Sequence, residues 1–447
     1  MNGTRRVARL AALAALCLLL GNAVPAFAQA AQGQDAAGQK PPYTMAEYNS
    51  YKAAEAETNP TQRIKLLDDF TSKYPNSALL IYIYPLYYNS YNQLKDWPHV
   101  IESTDKLVAL GDKVGPNEKY GALYARAYAY NQLNSTDPAQ AKSELSACEA
   151  GLQVIPQLKK PDALDENAFN EQKKQATMYL NGTCAQAATV LKDYPNVIKY
   201  DKAVLELNPD DAVTRYRLGQ AYLQMNPPQT LDGYWWVARA ITAKTATQQQ
   251  STQLKTYLRK LIVNYQGGTV CDTLTDAELN ELLQLAGTSA DRPATYKLPS
   301  GADLDAVRKD MTILSVVNDL KGGGDKANLT WLAVCGSEFP DVQVKLLEVD
   351  PGTDNVLLKV AFVTSDAEFQ AATTPDMDVK IVGQPDAAKL EKDTPVRFTA
   401  TLVSYDPAPN FMIHWDKGKV NEEDLPKPGK PAAKRPAAKK PGRSSHQ

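Results

Sequence analysis

The chain has 447 residues, 43% of them hydrophobic, and a formal net charge of −2, which is room for about two or three domains. No second long apolar stretch follows the N-terminal one, so a soluble chain without a membrane span is expected once that segment is removed. Cys148, Cys184, Cys271 and Cys335 show no C-x-x-C spacing, and His99, His414 and His446 lie far from them in sequence. A zinc or thioredoxin-like site is therefore not read, and no metal or cofactor is expected.

In chain order, Arg5, Arg6 and Arg9 precede an apolar run from Leu10 to Leu20 and then Ala26-Phe27-Ala28. A basic start, an apolar core too short to span and small residues at the cleavage positions read as a signal peptide over 1–28. Cys17 sits inside the apolar core behind Leu16 instead of a small residue, so lipidation is not expected. The expected location is the periplasm of a Gram-negative-type envelope, or outside the cell. There the four later cysteines meet an oxidising compartment and are read as structural pairs or as buried thiols. Residues 29–42, rich in Ala, Gln and Gly, read as a flexible linker.

From 43 to 247 the apolar positions follow a helical period, broken by Asn-Pro, Tyr-Pro-Asn, Asp-Pro and Pro-Asp-Asp turns. A register of roughly 34 residues fits best over 179–244. One copy closes on Leu205-Glu206-Leu207-Asn208-Pro209-Asp210-Asp211, and the next carries Leu218-Gly219-x-x-Tyr222 and Ala238. On these residues the region resembles the tetratricopeptide repeat family. Weaker copies cover 43–76, 77–113 and about 117–157. Tyr88 stands where the family prefers Gly, extra residues surround 134–137, and 158–167 reads as an irregular insertion.

That resemblance implies a mainly α fold, an α-α superhelix whose paired helices approach most closely at Gly219 and Ala238. It also implies a concave face lined by Tyr82, Asn89, Asn92, Gln186, Tyr216 and Gln220. These are uncharged, unlike the Lys/Arg/Asn clamp with which family members hold C-terminal carboxylates, so a carboxylate-capturing adaptor is not expected. Of the tyrosines crowding one helix, Tyr82, Tyr84, Tyr87, Tyr88 and Tyr91, most are assigned to the core and some to a binding surface. In the implied register Cys148 and Cys184 fall on neighbouring helices where a bridge could form, which would leave Cys271 and Cys335 as the other pair.

Two helices within 248–287 are read as caps on the repeat stack, and 288–302 as a linker. Residues 303–425 read as an α+β domain: helices at 303–320 and 327–335, then period-two strands at 342–349, 355–363, 377–382, 396–405 and 411–415. Five strands suggest a small barrel. With 387–392 where a helix would separate the third and fourth strands, and Asp393-Thr394-Pro395-Val396-Arg397-Phe398-Thr399 as the fourth, this part resembles OB-fold domains. Residues 426–447, whose charged side chains are all positive and set among Pro, Ala and Gly, read as a disordered basic tail. The folded part is correspondingly acidic.

Catalytic chemistry is not spelled out. No nucleophile elbow of the G-x-S-x-G type accompanies a histidine. His99 follows Trp97-Pro98 at a helix start, and His414 alternates with Ile413 and Trp415 on a strand. Lys321-Gly322-Gly323-Gly324-Asp325-Lys326 lacks the phosphate-loop spacing and a feeding strand. Acidic pairs such as Asp68-Asp69 and Asp210-Asp211 fall at turns and helix ends. The expectation is a non-catalytic scaffold that holds an envelope protein or peptide segment, with no small-molecule substrate. The alternative is an OB-like module, offering Arg397, Phe398, Tyr405, Phe411, Trp415, Lys417 and Lys419, that works with the basic tail on anionic envelope polymers, lipid head groups or, less in keeping with export, nucleic acid.

Overall fold

A computed structural model describes residues 42–268 and 271–426. The expected signal peptide, the linker up to residue 41 and the tail from Lys427 lie outside the described residues, together with Cys17 and His446. Among those described are sixteen α-helices followed, after the first fifteen, by a closed five-stranded barrel. The chain divides into two compact units: residues up to Leu258 with Leu282–Tyr296, and Arg259–Glu281 with everything from Lys297. The segment 248–287, expected as a cap, thus contributes residues to both.

In the first unit ten helices form five consecutive pairs: α1 Met45–Ala56 with α2 Pro60–Lys73, α3 Leu80–Leu94 with α4 Trp97–Val108, α5 Pro116–Leu133 with α6 Pro138–Val154, α7 Glu166–Val190 with α8 Tyr194–Leu207, and α9 Ala212–Gln224 with α10 Thr230–Ile241. Each helix packs on the next. In addition α1 touches α3, α3 touches α5 and α5 touches α7 across the intervening helix, more closely than any two alternate even-numbered helices touch each other. The buried middle of this stack is α5, where Tyr120 to Ala125 and Ala127 to Ala129 are all inside.

The turn from the first to the second helix of a pair is a repeated module. Four second helices begin on an Asx N-cap with Pro in the first turn: Asn59 before Pro60, Asp96 before Pro98, Asp137 before Pro138 and Asp193 before Pro195. The cap carboxylate or amide accepts backbone N–H groups left open at a helix start, and Pro has none to lose. Just before it, Lys95, Asn134 and Lys192 take up left-handed backbone with φ of 59°, 46° and 57°. In two turns the hydrogen bonds match: Lys95 N to Asn92 O with Asp96 N to Tyr91 O, and Lys192 N to Thr189 O with Asp193 N to Ala188 O. This double closure is a Schellman end. The sequence repeats with it, Leu94-Lys95-Asp96-Trp97-Pro98 and Leu191-Lys192-Asp193-Tyr194-Pro195.

Between helices the sequence dictates spacing. A Cβ on Gly219 would lie 2.9 Å from Val237 Cγ2 and 3.0 Å from both Gly233 O and Val237 N, so only glycine permits the approach of α9 to α10. Ala238 is fully buried in the same interface. Asp201 of α8 is wholly buried and paired to Arg217 of α9 through both carboxylate oxygens. Cys148 of α6 and Cys184 of α7, both buried, form a disulfide. The insertion after α6 is held by Asn117, whose side chain donates to Lys159 O at 3.0 Å and accepts from Lys159 N at 2.9 Å.

Helices α11 Gln248–Tyr265 and α12 Asp272–Thr288 follow, and then α13 Gly301–Lys309, α14 Ile313–Gly322 and α15 Gly324–Val334. A single helix over 303–320 was the expectation. The structure corrects it: Thr312 caps a new start, exchanging hydrogen bonds with Ser315. Strands β1 Glu338–Pro351, β2 Asn355–Phe362, β3 Met377–Val382, β4 Pro395–Asp406 and β5 Met412–Val420 close in the order β1-β2-β3-β5-β4, with only β3 and β5 parallel. A short helix α16, Asp366–Ala371, lies between β2 and β3, and the expected helix at 387–392 is a 3₁₀ turn, Pro385–Lys389. The barrel interior, Val344, Leu358, Val379, Phe398 and Trp415 among others, is continuous with Leu304, Val316, Val317 and Leu320 of the helices. Gly418 lets the parallel seam close, since a Cβ there would meet Val379 and Ile381 side chains within 2.9 Å. Cys271 and Cys335 form the second disulfide.

Candidate functional site

The six expected groove residues all sit on odd-numbered helices of the first unit, and all are half-buried. Tyr82, Asn89 and Asn92 are on α3 at spacings of two turns and one turn, Gln186 is on α7, and Tyr216 and Gln220 are one turn apart on α9. Helical spacing of this kind puts side chains on one face.

Four contacts link the odd helices through these residues. Tyr82 packs against Tyr51 of α1, ring centroids 6.0 Å apart. Asn131 of α5 donates from Nδ2 to Gln186 Oε1 at 3.3 Å. Tyr216 meets Tyr257 of α11 edge-on at 6.4 Å, and the same Tyr257 hydroxyl is 3.2 Å from Gln220 Nε2. Tyr82, Gln186, Tyr216 and Gln220 therefore lie where the odd helices approach one another. Burial raises the pKa of the Tyr82 phenol, with help from Glu118, and that of Tyr216, so both remain hydrogen-bond donors.

Tyr51, Asn131 and Tyr257 were not picked out from the sequence. For Asn131 a signal existed: Tyr91-Asn92-Gln93-Leu94 and Tyr130-Asn131-Gln132-Leu133 are identical tetrapeptides closing α3 and α5. Of the other tyrosines of α3, Tyr87 and Tyr88 are buried, and Tyr84, Tyr87 and Tyr91 form a stacked series ending on His99 of α4, 4.8 Å from Tyr91. The N-cap Asp96 accepts from the His99 backbone N at 3.4 Å and meets its ring Nδ1 at 2.7 Å.

On α6 the buried Glu144 is pushed up to about 7 by desolvation, and its Oε1 has no hydrogen-bond partner. Glu278 of the second unit is also pushed up to about 7 by burial, although Gln266 Nε2 donates to both its oxygens at 2.9 Å.

The barrel does not present the basic and aromatic platform expected of the alternative. Phe398 and Trp415 are core residues in edge-on contact at 5.6 Å. Arg397 is tied to Asp424 and Glu423 at 2.9 and 3.0 Å. Tyr405 packs on Trp331, and Phe411 lies under Lys321, which pairs with Asp376 at 2.7 Å. Only Lys417 and Lys419 of that set are exposed. The glycine run is a helix junction, with Gly323 at φ 68° and Lys326 paired to Asp319. Among the described residues no group of three or more His, Cys, Asp or Glu is placed to hold a metal, and no helix is long and apolar enough to cross a membrane.

Compared with protein-family models and with curated proteins, the chain finds no match.

Proposed function

We propose that this chain is an exported, non-catalytic scaffold of the tetratricopeptide type, with residues 1–28 a cleaved signal peptide, that holds a peptide or protein segment of the envelope along its odd-numbered helices. The observation that carries the reading is the uncharged row itself: amides and phenols on α3, α5, α7 and α9, half-buried, on the side where alternate helices meet. Such groups keep donors and acceptors for an incoming chain at a smaller desolvation cost than charges. Solenoids of paired helices commonly recognise extended partners on that side. Two disulfides suit an oxidising compartment.

The test is a full-length variant, Asn92→Lys with Gln186→Lys and Gln220→Lys, expressed in the host beside the unchanged protein. Loss of the bound envelope protein with unchanged helicity supports the reading. A partner retained by the triple variant, or none held by the unchanged protein, sinks it. The second reading, an anionic polymer held by the cationic residues from Lys427 onward, has a different signature, because a charge-driven complex weakens steeply with salt while a groove complex changes little.

A further inference from the structure

We infer that His414 is a pH-sensitive clasp that ties the base of the β4–β5 loop, residues 407–411, to strand β3. His414 lies on β5, directly opposite Asp378 across the parallel β3–β5 seam. Its Nδ1 is 2.7 Å from Asp378 Oδ2, and its Nε2 is 3.2 Å from Oδ2 of Asp406, the last residue of β4. Each contact to a carboxylate needs an N–H on the ring, and only the doubly protonated imidazolium has two. One side chain thus joins three strands while it is charged. Burial disfavours the charged ring, but the hydrogen bonds to Asp378 and Asp406 outweigh it and hold the pKa above the ordinary 6.5.

The neighbouring charges leave the two aspartates to His414. Lys359, in register with Asp378 across β2–β3, is 3.0 Å from Glu348; Lys380 of β3 is 4.0 Å from Asp416 of β5; and Lys321 of α14 is 2.7 Å from Asp376. Within the loop Pro407 and Pro409 lack the backbone N–H, while Phe411 at its end packs on the barrel core and Asp406 pairs with Met412 in the β4–β5 ladder. When the ring loses a proton, one of its nitrogens becomes an acceptor facing a carboxylate, and the longer contact, to Asp406, is the one that opens. The clasp therefore sets how firmly the β4–β5 loop is held to β3, firm at low pH and released at high pH.

The experiment is an NMR titration of the histidine rings of the full-length protein from pH 5 to 9, with amide exchange read at 406–412 and at Val344 of β1 as control. The clasp requires His414 to titrate above 6.5 and Asp406→Asn to bring it down. Protection at 406–412, corrected for intrinsic exchange, should fall roughly tenfold as the ring deprotonates, with Val344 unchanged. His414→Gln, which keeps one donor, should show low protection at every pH and covers the case in which Asp406→Asn does not fold. Titration of His414 at or below 6.5, protection at 406–412 that ignores pH, or loss that extends equally to Val344 would overturn the inference.

Discussion

In the repeat unit the half-buried row Tyr82, Asn89, Asn92, Gln186, Tyr216 and Gln220 is uncharged, whereas in the barrel unit Arg397 is matched to Asp424, Lys321 to Asp376, Lys359 to Glu348 and Lys345 to Asp393. Amides and phenols on a helix face can exchange water for a partner's backbone at modest cost. Paired charges must first be separated, and exposed ones are worth little to begin with. On the proposed reading the contrast places recognition on the repeats, beside a barrel unit many of whose cations are paired.

The largest expected effect that could break this division is on the disulfides. Cys148→Ala with Cys184→Ala should lower the stability of the repeat unit by about 4 kcal/mol through loss of loop closure, and Cys271→Ala with Cys335→Ala that of the barrel unit by a similar amount. Limited proteolysis of the full-length protein in denaturant, following fragments from each unit, checks it. If each pair weakens both units alike, the two are not separate folding entities.

A somewhat smaller effect concerns pH. Glu144 has a folded pKa of about 7 against an ordinary 4.5, so the folded state holds a proton that the unfolded chain releases. Stability of the repeat unit should therefore fall as pH rises from about 4.5 to 7 and level off above, by an amount on the order of 3 kcal/mol. Glu144→Gln should flatten that slope and stabilise at pH 8, read by thermal unfolding across pH. Glu278 should give the barrel unit a slope of the same sign, so the difference between the units lies in which substitution removes which slope.

The smallest effect refines the account of the turns. Lys192→Gly should raise stability by up to about 1 kcal/mol, because a side chain in left-handed backbone is strained and glycine is not. Chemical denaturation of the variant measures it. No gain, or a loss, would mean that the Lys192 side chain contributes something its backbone geometry does not reveal.

Much of this architecture was legible in the chain, and for local reasons. Asx-Pro turns and helical periodicity marked the pairs, and period-two alternation marked the strands. The repeated Leu-Lys-Asp-aromatic-Pro segment carries the same information more sharply, since it encodes a left-handed residue and a cap, and Tyr-Asn-Gln-Leu marks the ends of α3 and α5. The break at Thr312 was not legible, because the residues around it suit a helix and only the capping exchange with Ser315 interrupts it. Grouping Arg397 with Phe398 and Trp415 as one surface ignored the alternation that sends Phe398 inward from its neighbour. Tyr257 became part of the row only through the packing of α11 near α9, a non-local fact.

Site-specific photo-crosslinking in the host tests the central claim most directly, with a photoreactive residue placed in the full-length chain at Asn92 or Gln186 on odd helices, at Lys142 on α6, or at Val382 on β3. The account requires one adduct of the same mass from Asn92 and Gln186 and none from Lys142 or Val382. Adducts from all four positions alike, or from Val382 alone, would contradict it.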